Sequence, residues 1–205
     1  INIKSYIKEG ILRIAGDVSY YFLLLAPSYF ILLFTKDLVS AAAIGFCQVI
    51  INSSSILINP ISFITLTKSV RFSINRELNE LKKVFNRTIT YTFLIFTFFS
   101  IILILLTEHL ILILYSKEIL LHLFPVKIFL LVTPFIATYL SGRSFIDGVT
   151  AKPIMSRINA SGLATFFLIM MIAKEHLTVF SSITVGFISS FIIMDFLMIS
   201  YIKKL

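Results

Sequence analysis

Six long apolar runs dominate the chain, and each is long enough to cross a bilayer as a helix. They fall near Ile11–Phe34, Val39–Leu66, Thr88–Thr107, Ile119–Leu140, Ile154–Ala173 and Thr178–Ile202. About 20 apolar residues suffice to span the hydrocarbon core, so six spans at ~22 residues each take up roughly 130 positions. Little of the 205-residue chain is left for a soluble domain. The expectation is an all-α integral membrane protein, with residues 1–205 forming a single domain of about six transmembrane helices. A transmembrane barrel would need strands of about ten residues with alternating polarity. Here runs such as Phe93–Leu106 are apolar on all sides. Composition agrees: 58% of residues are hydrophobic and 14% charged, against about 25% charged in soluble domains. That excludes an ordinary soluble domain and intrinsic disorder. It also argues against a soluble nucleic-acid binder, so membrane lipids rather than nucleic acid are the expected surroundings.

The basic residues set an orientation. Lys4, Lys8 and Arg13 precede or open the first span. Lys68, Arg71, Arg76, Lys82, Lys83 and Arg87 surround the second connection. Arg143, Lys152 and Arg157 surround the fourth, and Lys203 and Lys204 end the chain. The alternate segments hold only Lys36, Lys117, Lys127 and Lys174. Fourteen cations against four place both ends in the cytoplasm by the positive-inside rule, and the basic side faces an anionic leaflet or an anionic substrate. The expected location is a membrane that the chain crosses several times. With no Trp in the chain, the interfacial aromatic belt falls to tyrosines such as Tyr6, Tyr115 and Tyr201. Cys47 is the single cysteine, so no disulfide framework exists within the chain.

Between the second and third spans, Ile74, Leu78, Leu81 and Phe85 recur at helical spacing, with Arg76, Lys82, Lys83 and Arg87 largely off that stripe. This predicts an amphipathic helix lying in the interface plane. Ile3, Ile7 and Ile11 repeat the spacing near the start. The segment serves either as a plain surface connector or in gathering substrate.

Polar groups inside the spans are the functional candidates. Gln48, Asn52, Ser55, Asn59 and Ser62 follow one another at steps of three or four, which puts them on one helical face. Lipid cannot satisfy amides, so this face meets water in a cavity or another helix in a polar seam. Pro27 and Pro60 predict bends. Asp17 lies one turn after Arg13, and the pair suits either a local ion pair or a coupling site. Asp195 has no basic residue at i±4, and an intramembrane carboxylate is a functional candidate by default. Ser182, Gly186 and Ser190 form a small-residue row suited to helix packing. Phe124–Pro125 and Thr133–Pro134 predict a kinked fourth span after a short outer segment, His109–Tyr115. The connection Ser141–Arg157 carries Arg143, Asp147, Lys152 and Arg157, whose cations suit either positive-inside charge or a phosphate clamp. Gly148 suits a turn there, and Pro153 suits the first turn of the next helix.

No Walker loop, H-E-x-x-H or G-x-S-x-G occurs, so no nucleotide-loop or hydrolase motif is present. The three histidines are too scattered in sequence for a metal site. The expectation is a non-enzyme without cofactor or metal.

Three stretches carry a resemblance. They are Ile7–Tyr21 (IKEGILRIAGDVSYY), Ser40–Pro60 (SAAAIGFCQVIINSSSILINP), and Leu114–Asn159, with LYSKEILLHLFPVKIFLLVTPF and SGRSFIDGVTAKPIMSRIN. In these the chain resembles the C-terminal half of the polysaccharide transporters, the oligosaccharide-lipid flippases of the MOP (MATE-like) superfamily. The motifs are degenerate, and the likeness extends at pattern level over essentially the whole chain. It implies one lobe of a two-lobe transporter that rocks between inward- and outward-open states, as repeat-built transporters do. The implied substrate is an undecaprenyl-diphosphate-linked oligosaccharide, an O-antigen or capsule repeat unit. The implied partner is an N-terminal lobe of the same protein. The first residue is Ile1 rather than Met, which fits a piece of a longer chain; a half that pairs with itself is the alternative. Carried over by position, Gln48, Asn52, Asn59, Arg13, Arg143, Lys152 and Arg157 would line the substrate cavity. Asp17 and Asp195 would couple transport to an ion. Other readings are a drug/cation antiporter or peptidoglycan-precursor flippase of the same superfamily, a non-transporting membrane subunit, or a glycan polymerase.

Overall fold

The computed structural model describes residues 3–150 and 152–205, with residues 3–6 as backbone only. The side chains of Ile3, Lys4 and Tyr6, invoked above, lie outside the described residues. The chain forms α1 (Ile3–Thr35), α2 (Leu38–Ile74), α3 (Leu78–Leu114), a 3-10 turn (Lys117–His122), α4 (Leu123–Leu130), α5 (Thr133–Val149), α6 (Ile154–Ala173) and α7 (Val179–Lys204). No strand occurs among the described residues. Six helical stretches have the length and apolarity of membrane spans, the 3-10 turn, α4 and α5 together making the fourth. The fold is an all-α membrane bundle, as the six apolar runs predicted. Large apolar side chains such as Leu25, Phe63, Phe98, Leu105 and Phe196 are exposed on its outside, where a bilayer accepts them.

The second connection differs from expectation. There is no separate interfacial helix. α2 ends at Ile74, a tight turn carries Arg76 at φ 59°, and Leu78 begins α3. Leu81 and Phe85 open a buried stripe that continues through Ile89, Thr92, Phe96, Ser100, Leu103, Thr107 and Ile111. Their steps of three and four keep all nine on one face. No Pro or Gly interrupts Leu78–Leu114, so nothing stops the helix where the amphipathic segment would end. Phe85 packs edge-on against Phe145, ring centres 5.3 Å apart, and burying it is worth about 2 kcal/mol. His109–Leu114 likewise belongs to α3 rather than to a separate outer segment. At 37 residues, α3 is about 55 Å long against a hydrocarbon core of about 30 Å, so its charged first turns stand outside that core.

The fourth span is broken as its prolines predicted. α4 stops at Leu130 and α5 restarts at Thr133. Pro134 has no N–H to offer the Leu130 carbonyl. Two hydroxyls replace it: Thr133 Oγ1 donates to that oxygen at 2.7 Å and Ser100 Oγ donates from α3 at 2.9 Å. Pro27 and Pro60 lie inside α1 and α2 without ending either helix.

Close seams explain the glycines. Gly186 of α7 lies against α6, where a Cβ would stand 2.9 Å from the Phe166 carbonyl. With Ser182 and Ser190 also buried, the small-residue row is packing, as expected. Gly148 lies against Ser69 inside α5 rather than in a turn. The expected Ser141–Arg157 connection is therefore mostly helix, and only residues 150–153 join α5 to α6.

Contacts between connections define two ends of the bundle. Ser73 Oγ donates to the Val149 carbonyl at 3.5 Å and Lys82 Nζ to the Lys203 carbonyl at 3.2 Å. This brings the α2–α3 turn, the α5–α6 connection and the C-terminus to one end. At the other, His122 stacks on Phe180 and Lys174 lies 4.0 Å from the Phe34 ring centre. The segments rich in Lys and Arg thus share one end, and the poor ones the other.

Candidate functional site

At the basic end, α1 and α5 bring charges together in a partly exposed seam. Arg143 Nη2 donates to Asp17 Oδ1 at 2.6 Å, and Arg143 Nε lies 3.5 Å from Asp147 Oδ2. One guanidinium therefore bridges carboxylates on two helices. Arginine suits this role because its planar fork presents donors on two edges. Arg13, Asp17, Arg143 and Asp147 line a small cavity of about 80 Å³, closed by Pro153, Met155 and Ser156. The sequence reading gave Asp17 a partner on its own helix, Arg13. Arg143, 126 positions away, is a partner of Asp17 at 2.6 Å, and Arg13 lines the same cavity.

An aromatic and amide layer supports the cluster. Arg143 lies 6.0 Å from the Tyr20 ring centre, and Tyr20 stacks on Tyr139 with centres 5.2 Å apart. The Tyr139 hydroxyl donates to Asn159 Oδ1 at 2.5 Å, and Asn159 Nδ2 donates to the Gly16 carbonyl at 2.9 Å. Asn159 and Tyr139 are fully buried. Three helices are thereby pinned: α1 through Gly16, α5 through Tyr139 and α6 through Asn159. Gly16 allows the approach, since a Cβ there would overlap Ser156. Asp147, Tyr20 and Tyr139 were not singled out as site residues from sequence. The signal was present: Tyr139, Arg143 and Asp147 stand four apart, as do Arg13 and Asp17.

The other expected cavity residues fall elsewhere. Gln48 turns into the α1–α2 seam, accepting from Ser28 Oγ at 2.7 Å and donating to the Leu24 carbonyl. Ser62 donates to the Leu140 carbonyl at 3.4 Å. Asn52 and Asn59 are exposed while Ile51 is buried. The single polar face of α2 thus divides into two packed groups and two asparagines open on the surface of the bundle. Lys152 and Arg157 line an open groove with Lys8, beside the charge cluster. Asp195 sits apart, only 7% exposed, and its Oδ1 has no hydrogen-bond partner. It lines a cavity of about 390 Å³ walled by Ile89, Phe93, Phe135, Thr138 and Phe196 of α3, α5 and α7.

At the opposite end Asp37 caps α2, accepting from Val39 N at 2.9 Å and Ser40 N at 3.2 Å. The Ser40 hydroxyl also donates to Asp37, and this holds the Asp37 carboxyl below its ordinary range against a smaller opposing desolvation. His122 Nε2 stands 3.2 Å from Ser40 Oγ and 3.8 Å from Asp37 Oδ2. Both contacts use one ring nitrogen, so the trio is not a hydrolase triad, in which the imidazole bridges through two. No metal-binding group of three or more His, Cys, Asp or Glu occurs among the described residues.

No protein-family model matches the chain, and neither a curated protein nor a solved structure matches it.

Proposed function

We propose that the chain is one half of an alternating-access flippase that carries a diphosphate-linked oligosaccharide lipid across a bacterial cytoplasmic membrane. The observation that carries the reading is the Asp17–Arg143–Asp147 cluster, on helices of membrane-span composition. Charged groups in spans are costly and normally mark substrate or ion pathways. A guanidinium shared by two carboxylates can exchange one of them for a substrate phosphate at little electrostatic cost. Asn52 and Asn59 supply the exposed amides that a sugar-binding wall needs, and in this reading they face the second lobe. The basic end is then the cytoplasmic one, and Arg13, Lys152 and Arg157 draw the anionic headgroup toward it. Asp17 and Asp195 are the carboxylates through which an ion gradient drives the cycle.

Cysteine labelling tests the wall. With the native Cys47 buried, cysteines at Asn52 and Asn59 in the intact protein should react with a water-soluble thiol reagent, and one at Ile51 should not. Protection of both by lipid-linked oligosaccharide would assign the ligand. Equal labelling at all three positions sinks the cavity. Arg143→Gln should abolish complementation of a glycan-export mutant without loss of expression, and full complementation would remove Arg143 from the transport path.

A further inference from the structure

Two cavities meet on the outside of the bundle between α1 and α6. The outer one, of about 490 Å³, is lined by Lys8, Glu9, Lys152, Arg157 and Tyr201. The inner one, of about 190 Å³, runs along Leu12, Ala15, Gly16 and Ser19 of α1 and past Ala160 of α6. They share Leu12, Pro153 and Arg157, so they form one continuous groove. Its mouth holds three cations and one carboxylate at the basic end. Its slot is floored by small residues and opens beside Ile11, Leu12 and Ile14, which are exposed on a helix of membrane-span composition. α6 begins at this mouth, and no side chain caps its N-terminus. The amide groups of its first turn add donors where anions are favoured.

We propose that this groove is a binding site for one anionic glycerophospholipid of the bilayer. Lys8, Lys152, Arg157 and the first turn of α6 hold the phosphodiester. One acyl chain lies in the Leu12–Ser19 slot, about 10 Å of helix, and the second stays in the membrane. Charge selects the class. The mouth carries a net positive charge of two at neutral pH, so an anionic headgroup is attracted while a zwitterionic one gains little. Glu9 accepts from a headgroup hydroxyl such as that of a glycerol. The site shares Lys152 and Arg157 with the transport reading but uses neither the Asp17–Arg143–Asp147 cluster nor the asparagines of α2, and lipid retention is read without any transport.

The test is lipid retention by the intact protein in nanodiscs of phosphatidylglycerol and phosphatidylcholine, read by native mass spectrometry. One phosphatidylglycerol should be held in preference to phosphatidylcholine. Each surface cation contributes roughly a fivefold preference, so Lys152→Gln with Arg157→Gln should weaken retention about thirtyfold. Both side chains are exposed, and an unchanged labelling rate at buried Cys47 would show that the fold is intact. Ala160→Leu fills the slot and should weaken retention while leaving the mouth's charge untouched. Equal retention of the two lipids, or undiminished phosphatidylglycerol on the double variant, would overturn the proposal. So would displacement of phosphatidylglycerol by equimolar undecaprenyl diphosphate, which would give the groove to that single-chain diphosphate lipid instead.

Discussion

Replacing Asn159 with Ala probes the junction that ties α1, α5 and α6 together. The change removes the acceptor of the Tyr139 hydroxyl and the donor to the Gly16 carbonyl, and both are left without that partner. In water-soluble proteins each such group costs about 1–3 kcal/mol, whereas hydrogen bonds between membrane helices average about 0.6 kcal/mol. Asn159 lies in the second turn of α6, toward the basic end rather than the membrane centre, so about 2 kcal/mol for the pair is expected. Cys47 offers the assay. It is the only cysteine and is fully buried, so a thiol reagent reaches it only when the bundle opens. In the regime where reclosing outpaces labelling, the rate should rise about thirtyfold in Asn159→Ala. Tyr139→Phe alone, leaving Asn159 Oδ1 unserved, should cost about 1 kcal/mol. The double variant should cost about 2 kcal/mol rather than three, because no phenol hydroxyl remains to be stranded. Strict additivity would refute the Tyr139–Asn159 hydrogen bond as drawn.

Three further outcomes follow from the same structure. Gly186→Leu should destabilise the bundle by about 3 kcal/mol through the α6–α7 seam, while Gly45→Leu, with open space around its Cβ position, should be near neutral by the same Cys47 labelling. Arg143→Gln should cost about 1 kcal/mol, the pair being partly exposed and screened, and adding Asp17→Asn should restore part of it; a double variant worse than Arg143→Gln would refute the pairing. At the Asp37 cap the folded carboxyl titrates below its ordinary range, so its contribution is complete above that range and is lost as pH falls through the depressed value. The protection factors of the Val39 and Ser40 amides, observed exchange divided into the intrinsic rate at each pH, should fall at low pH, and Asp37→Asn should flatten that dependence.

The spans were legible because twenty-residue apolar runs have one reading in a bilayer; Ile154–Ala173 is bounded as expected. The break before Pro134 was legible because proline removes a donor wherever it sits. The Leu81–Phe85 stripe misled because periodicity shows which face of a helix is apolar, not whether the helix lies along the membrane or enters it. Gly148 read as a turn because sequence does not reveal that Ser69 presses against it. Of the charge cluster, Asp17 stood out by its cost in lipid, Arg13 as its neighbour one turn before, and Arg143 only as a cation of a connection. Their pairing depends on which face α5 turns toward α1, a tertiary quantity that local spacing does not contain. Gln48 stayed open between cavity and seam for the same reason, since its partners Leu24 and Ser28 lie on another helix.

The break between α4 and α5 also fixes a count. With the Leu130 carbonyl held by hydroxyls from two helices, α5 starts at a set rotation, and Tyr139, Arg143 and Asp147 inherit their heading from it. Adding or deleting one residue between Pro134 and Tyr139 turns everything downstream by about 100°, sending Arg143 away from Asp17. The same edit in the connection near Ser116, ahead of the break, is absorbed before the count begins. Natural length variation in this chain should therefore spare Pro134–Asp147 and fall in connections such as the one near Ser116.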